Sequence, residues 1–267
     1  MANIKQETSM LDRRNYLKTS AVAVNAIMVS GTTIAQTGAT NNKQAEGNSN
    51  SYRLPVFKKG SRLIFQGDSI TDMNWGRNEK DRNHYLGHSY VYLIAARLGV
   101  DMPEAKLDIY NRGMSGHTVG DLRKRWDKDA IEMMPDLLSI LIGTNDVGRG
   151  VKPIDFESDY RFILEASRKA NKELRIVLVD PFVLPTGGLS KKESWSSRRA
   201  ATDELRMIVS KLAKDFDAVH VKAQDVFDDA SKKVAPEQWI WDGIHPLPQG
   251  HELIARNWLQ EVSARWH

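Results

Sequence analysis

The sequence predicts an α/β protein: a three-layer αβα sandwich around a central five-stranded parallel sheet, occupying residues 53–267. Two observations predict it. Short apolar runs alternate with longer helical patterns from Tyr52 onward. The runs are mostly apolar on both sides of the pleat, as strands covered by helices on both faces are. Alternation of this kind argues for parallel strands joined by helical crossovers.

In chain order, the first predicted strand is Arg62–Gln66, followed by a helix over Gly87–Leu98. The second strand, Leu107–Asn111, is interrupted by Asp108, and a helix over Thr118–Ala130 follows it. The third strand, Leu137–Ile142, leads to a helix over Ile154–Ala170. The fourth, Arg175–Asp180, leads to a helix over Ser194–Lys214, and the fifth is Ala218–Val221. A last helix, Pro248–Arg265, closes the chain, and no internal repeat is found.

The first fifty residues read differently. "LDRRNYLKTSAVAVNAIMVSGTTIAQ" has the layout of an export signal: Arg13-Arg14, then Tyr16-Leu17-Lys18, then a mildly apolar run from Ala21 to Ile34. The paired arginines resemble a twin-arginine signal, so residues 1–35 are expected to direct export to the periplasm or beyond the cell. An amphipathic helix or an uncleaved anchor is the alternative. Against the anchor, the apolar run is shorter than the ~20 residues that span a membrane, and Asn25 interrupts it. Residues 36–52 are polar and read as a disordered linker.

Composition excludes several functions. Net charge is +4, and the first twenty residues carry a sizeable part of it, so the folded part is nearly balanced. No Lys/Arg cluster interleaves with aromatics, which argues against a nucleic-acid partner. The chain holds no cysteine, which excludes disulfides, thiolate metal sites and a cysteine nucleophile.

In an open α/β sheet, ligands sit beyond the carboxyl ends of the strands. The segments there are Gly67-Asp68-Ser69, Arg112-Gly113-Met114-Ser115-Gly116, and Gly143-Thr144-Asn145-Asp146; "WDGIHP", Trp241–Pro246, precedes the last helix. A strand-to-helix corner can expose a Ser69 hydroxyl and aim backbone N–H groups at a carbonyl oxygen. Alone, the corner reads equally as a turn in which Asp68 or Ser69 caps a helix.

Of the seven histidines, His245 has a carboxylate three positions upstream in a tight turn. Asp242 can accept from Nδ1–H, leaving Nε2 to face a serine. Alone, the pair also reads as a surface turn or a helix cap. His267 is terminal, His220 sits at a strand end, and His84, His88 and His117 flank predicted helix starts. His251 is expected to face water from the last helix. Candidate oxyanion donors are the Ser69 N–H, the Gly113 N–H and the Asn145 side-chain amide.

These blocks together resemble an SGNH (GDSL-type) hydrolase. The resemblance lies in "GDSIT" with Ser69, "NRGMSG" with Gly113, "GTND" with Asn145, and "DGIHP" with Asp242 and His245, in that order, from about Arg62 to Trp258. It implies a flavodoxin-like fold with Ser69 as nucleophile, His245 as base and Asp242 orienting the histidine. Gly113 and Asn145 would complete the oxyanion hole with the Ser69 amide. No metal or organic cofactor is implied.

"GMSGH" mimics a G-x-S-x-G elbow but ends in His117 where glycine belongs, so Ser115 and His117 are expected to line a loop. Trp75, Trp239 and Trp241 lie near the expected site, where they can stack on sugar rings or pack in the core. With no long apolar lid, short-acyl chemistry on a small-molecule or oligosaccharide ester is expected, deacetylation of carbohydrate foremost. Lipolytic or thioesterase action, or non-catalytic glycan binding on the same fold, is the alternative.

Overall fold

The computed structural model describes residues 53–267. The expected export signal over 1–35 and the linker over 36–52 lie outside them. Five parallel strands form the sheet: β1 (Arg62–Gly67), β2 (Asp108–Asn111), β3 (Leu137–Leu141), β4 (Arg175–Val179) and β5 (Val219–Val221). Their order is β2-β1-β3-β4-β5. The chain therefore steps outward from β1 to β2, then reverses across β1 to β3. A crevice opens beyond the carboxyl ends at such a reversal, and here it lies between the ends of β1 and β3.

Side-chain alternation along the strands divides the core. Leu63, Phe65, Leu137, Leu141, Val177 and Val179 face one layer, built from α2 (Tyr90–Asp101), α7 (Ala223–Ser231) and α8 (Pro248–Arg265). Ile64, Leu138, Ile140, Ile176 and Leu178 face the other, built from α3 (Val119–Trp126), α5 (Pro153–Ala170) and α6 (Lys192–Asp215). Two short helices lie at the carboxyl rim: α1 (Ser69–Asp72) after β1 and α4 (Thr144–Gly148) after β3. Ser139 is the polar residue in the middle of β3. Its hydroxyl accepts from the buried Trp258 indole at 3.0 Å, which satisfies both groups away from water.

The predicted strands and five helices are all present; the last helix has the predicted bounds and the other elements have shifted ends. Helix α2 starts at Tyr90 because the Ser89 hydroxyl caps it, accepting from Val91 N at 3.2 Å. Helix α3 opens with a capping box between Thr118 and Asp121 and passes into a π turn over Asp127–Ile131. Asp108, which breaks the apolar pattern of β2, lies on this edge strand and pairs with Arg62 Nε at 2.9 Å. Helix α7 was not foreseen; its sequence AQDVFDDAS offers few apolar positions. Among the described residues no helix is long and apolar enough to cross a membrane.

Candidate active site

Strand β1 stops at Gly67, and Asp68 caps α1 by accepting from Ile70 N at 3.0 Å. Ser69 is thereby the first residue of α1, half-buried at the rim. Its Oγ lies 2.8 Å from His245 Nε2, although the two residues are 176 positions apart. His245 Nδ1 lies 2.6 Å from Asp242 Oδ2. Asp242 Oδ1 accepts from the backbone N–H groups of Ile244 and His245 at 2.9 and 2.7 Å.

An ionised carboxylate only accepts, so the imidazole hydrogen belongs on Nδ1 and Nε2 is left to accept from the Ser69 hydroxyl. Burial works to raise the Asp242 carboxyl. The His245 N–H, the imidazole and the Ile244 N–H outweigh it and hold the group below the usual carboxylate range.

The turn carrying this pair is clamped from the side. Leu184 N donates to Gly243 O at 3.1 Å. Gly243 has φ +96°, and a Cβ there would lie 2.8 Å from the Leu189 side chain, so the position suits glycine alone. The clamping segment is itself gripped by α7. Gln224 accepts from Val183 N at 2.8 Å and donates to Val183 O at 3.0 Å. That role was missed from sequence, because the helix was.

The groups expected to donate to an oxyanion differ in the partners they already have. Asn145, on α4, donates one amide hydrogen to His117 O at 3.0 Å and keeps the other. The Ser69 N–H has no partner among the described residues. The loop after β2 can be followed amide by amide. Arg112 N donates to Phe65 O and Met114 N to Gly67 O. Ser115 N donates to Asp72 Oδ2, and His117 N to Met114 O.

The Gly113 N–H, expected from the sequence to serve an oxyanion, instead donates to Asn111 Oδ1 at 2.9 Å. Gly113 has a packing reason instead: a Cβ there would lie 2.4 Å from Asp72 N. The amide of this loop without a partner among the described residues is that of Gly116, a half-buried residue at φ +81°.

Two buried carboxyls lie beneath the rim. Burial pushes Asp68 up to about 7; the Ile70 N–H opposes this, Asp146 adds to it and His245 counters it. Its Oδ2 has no partner among the described residues. Asp146 accepts from Val119 N at 3.0 Å and is pushed up to about 6, chiefly by burial.

His251 corrects a second expectation. It is buried in the α2–α8 layer, with Nδ1 accepting from Tyr90 N at 3.2 Å. Burial, then the nearby His88 and His245, lower it to about 3, so it stays neutral. His84 pairs with Asp81 and His220 with Asp180. Among the described residues His245 alone is placed against a serine hydroxyl.

Ser115 and His117 do line a loop. The Ser115 hydroxyl donates to Asp72 Oδ2 at 2.8 Å, and His117 Nδ1 accepts from Arg125 Nε at 3.2 Å. The tryptophans divide. Trp75 is buried, with its indole donating to Gly113 O at 2.8 Å. Trp239 is half-buried against the core. Trp241, beside Asp242, is 63% exposed.

Comparison with known proteins follows the same span. The GDSL-like lipase/acylhydrolase family matches residues 65–253. Over 211 residues the chain is 32% identical to the acetylxylan esterase of Geobacillus stearothermophilus, covering 78% of this chain and 96% of that protein. The crystal structure of Axe2, an acetylxylan esterase from Geobacillus stearothermophilus, matches with TM-score 0.68 at 32% identity, covering 77% of this chain and 95% of that one. An alpha/beta hydrolase enzyme from the metagenome of Lake Arreo, Spain, matches with TM-score 0.69 at 30% identity, covering 77% and 96%. The catalytic mutants of Axe2 with solved structures replace a serine, an aspartate and a histidine, the last two three positions apart.

Proposed function

The chain belongs to the GDSL-like lipase/acylhydrolase family and is a carboxylic ester hydrolase; from that premise, we propose that it removes short acyl groups, acetyl foremost, from carbohydrate esters through an acyl-enzyme on Ser69. One observation carries the reading: the unbroken line from Ser69 Oγ through His245 to Asp242, with separations of 2.8 and 2.6 Å. The catalytic mutants of Axe2 support it by residue type and by the spacing of aspartate and histidine. The acetylxylan esterase relative supports an acetylated carbohydrate as substrate.

In this mechanism the Ser69 hydroxyl attacks the ester carbonyl while His245 Nε2 takes its proton. Asp242 holds the imidazole in the tautomer that can accept, and stabilises the imidazolium that forms. The tetrahedral oxyanion receives the Ser69 N–H, the free Asn145 amide hydrogen and the Gly116 N–H. A donor of this kind lowers the barrier by ~3 kcal/mol. The carbonyl re-forms, the alkoxide leaves with the proton from His245, and acyl-Ser69 remains. Water then attacks the acyl-enzyme by the same route, freeing the acid and restoring the hydroxyl.

Residues 1–35 are proposed to direct export, so that the enzyme meets its substrate outside the cytoplasm. Cell fractionation with an antibody against the chain tests this, and a purely cytoplasmic pool would overturn it.

The catalytic reading is tested with Ser69→Ala, a fluorophosphonate label and a substrate panel. Wild type is expected to take up one label per chain and Ser69→Ala none, with hydrolysis abolished. Acetylated xylo-oligosaccharides and p-nitrophenyl acetate are expected to be cleaved far faster than p-nitrophenyl octanoate. Equal rates in wild type and Ser69→Ala would overturn the nucleophile. Preference for the octanoate would replace the substrate assignment by a lipolytic one.

A further inference from the structure

Three donors converge on one oxygen beside the nucleophile. Asp72, the last residue of α1, has a side chain only 3% exposed. Its Oδ2 accepts from Ser115 N at 2.9 Å, Ser115 Oγ at 2.8 Å and Arg77 Nη2 at 2.6 Å. Burial works against the charge on Asp72. The Arg77 and Ser115 donors outweigh burial and hold the carboxyl below its usual range.

We propose that Asp72, acting through Ser115, fixes the Gly116 N–H on the oxyanion, so that Asp72 and Ser115 are positioning residues for ester hydrolysis. The inference rests on the reading of Ser69 as nucleophile and Gly116 as donor. The Ser115 carbonyl and the Gly116 N–H belong to one rigid peptide plane. Two bonds from Ser115 to the same carboxylate oxygen hold the residue that enters that plane. Beyond it, Arg149 Nη2 donates to Gly116 O at 2.5 Å, and His117 N closes the turn on Met114 O at 3.1 Å. The Gly116 N–H is thus bracketed on both sides, with no partner of its own among the described residues.

Asp72 also ties this amide to the nucleophile, because Ser69 and Asp72 are the two ends of one helical turn. The chain leaving that turn is strained. Met73, Asn74 and Arg77 all have positive φ, at 34°, 56° and 54°. Non-glycine residues keep such conformations only where their surroundings over-determine them. Here the surroundings are the oxyanion loop itself. Trp75 Nε1 holds Gly113 O at 2.8 Å, and Arg77, which pairs with Asp72, stacks on Trp75 at 4.3 Å. The strap therefore grips the loop at Gly113 and at Ser115.

The test uses Ser115→Ala, Ser115→Thr and Asp72→Asn, assayed on p-nitrophenyl acetate. Rates are expressed per site titrated with fluorophosphonate, so misfolded protein does not count. Ser115→Ala is expected to lose about 10- to 100-fold in kcat, the scale of a misplaced catalytic group, with KM moving less than twofold. Ser115→Thr, which keeps the hydroxyl, is expected to recover most of the rate. Asp72→Asn should fall with Ser115→Ala, and the double variant should be no slower than Asp72→Asn alone.

Glycine-labelled NMR of the phosphonylated enzyme gives an independent signature. The Gly116 amide proton should move downfield in wild type and Ser115→Thr, and should not in Ser115→Ala. Wild-type kcat per titrated site in Ser115→Ala, or a Gly116 amide proton that moves downfield in that variant as it does in wild type, would overturn the proposal. If Ser69→Ala is inactive while Ser115→Ala is fully active, the positioning role alone fails. If Ser69→Ala remains active, the nucleophile assignment fails first and this inference with it.

Discussion

Replacing Asp242 by asparagine separates chemistry from architecture at one atom. Oδ1 is kept, and with it the bonds from Ile244 N and His245 N at 2.9 and 2.7 Å, so the turn should hold its shape. Oδ2, 2.6 Å from His245 Nδ1, becomes an NH2 group that can only donate. Nδ1 must then accept, and the ring hydrogen moves to Nε2. A hydrogen now points at Ser69 Oγ across 2.8 Å, where a lone pair was needed.

The same exchange in serine proteases lowers turnover about ten-thousand-fold with the geometry intact. At 1.36 kcal/mol per tenfold, that is about 5.4 kcal/mol of barrier. The cost to folding should be small by comparison. The His245 and Asp242 side chains are 35% and 27% exposed, and pairs in contact with solvent contribute about 0–1 kcal/mol. For a domain of this size that moves Tm by a few degrees, roughly 2–4 °C per kcal/mol. Hydrolysis of p-nitrophenyl acetate, with thermal melts on the same samples, reads both quantities. A kcat within tenfold of wild type would refute the tautomer reasoning, and so would a collapse in Tm large enough to explain the lost activity.

Two further outcomes are expected. Asn145→Ala removes the side-chain donor and should lower kcat about 10²–10³-fold, with a parallel loss in the rate of fluorophosphonate labelling; an unchanged labelling rate would remove Asn145 from the oxyanion site. Asp68→Asn should change how stability responds to pH. The Asp68 carboxyl is held at about 7 in the fold against an ordinary 3.8, so the folded state binds the extra proton. Wild-type stability from this group is therefore present at acid pH and lost as pH rises from about 4 to about 7. The Tm of Asp68→Asn relative to wild type should climb over that interval, and a flat difference would contradict it.

The sheet was legible because β1, β3 and β4 are apolar on both faces, and only layered strands tolerate that pattern. Helix ends were less so, since they depend on caps such as Ser89 rather than on periodicity. The buried face of His251 was written in the sequence. His251, Ile254, Ala255, Trp258, Leu259 and Val262 recur at helical spacing and form one buried stripe of α8. Considered without that spacing, a polar residue in a helix reads as a surface one.

Gly116, which the sequence alone does not single out, is harder to read than Gly113. Its reading turns on which amide the fold leaves unpaired, and distant groups decide that. Asn111 turns its side chain inward, donating to Thr71 O at 2.7 Å and Leu86 O at 2.9 Å while accepting from Gly113 N. A local signal existed, because an asparagine two positions before a glycine is the pattern of an Asx turn that consumes the second amide. The other ties, from Asp72 and from Gly67 O, cross between separate segments and have no local signature.

The separation between Ser69 and His245 has a consequence for biosynthesis. The alcohol emerges from the ribosome early, and its imidazole partner arrives just ahead of the terminal helix. A nascent or truncated chain holds the alcohol without anything to deprotonate it. On the proposed reading, hydrolysis needs the segment after β1 and the segment before α8 folded against each other, so the first turnover reports that the two have met.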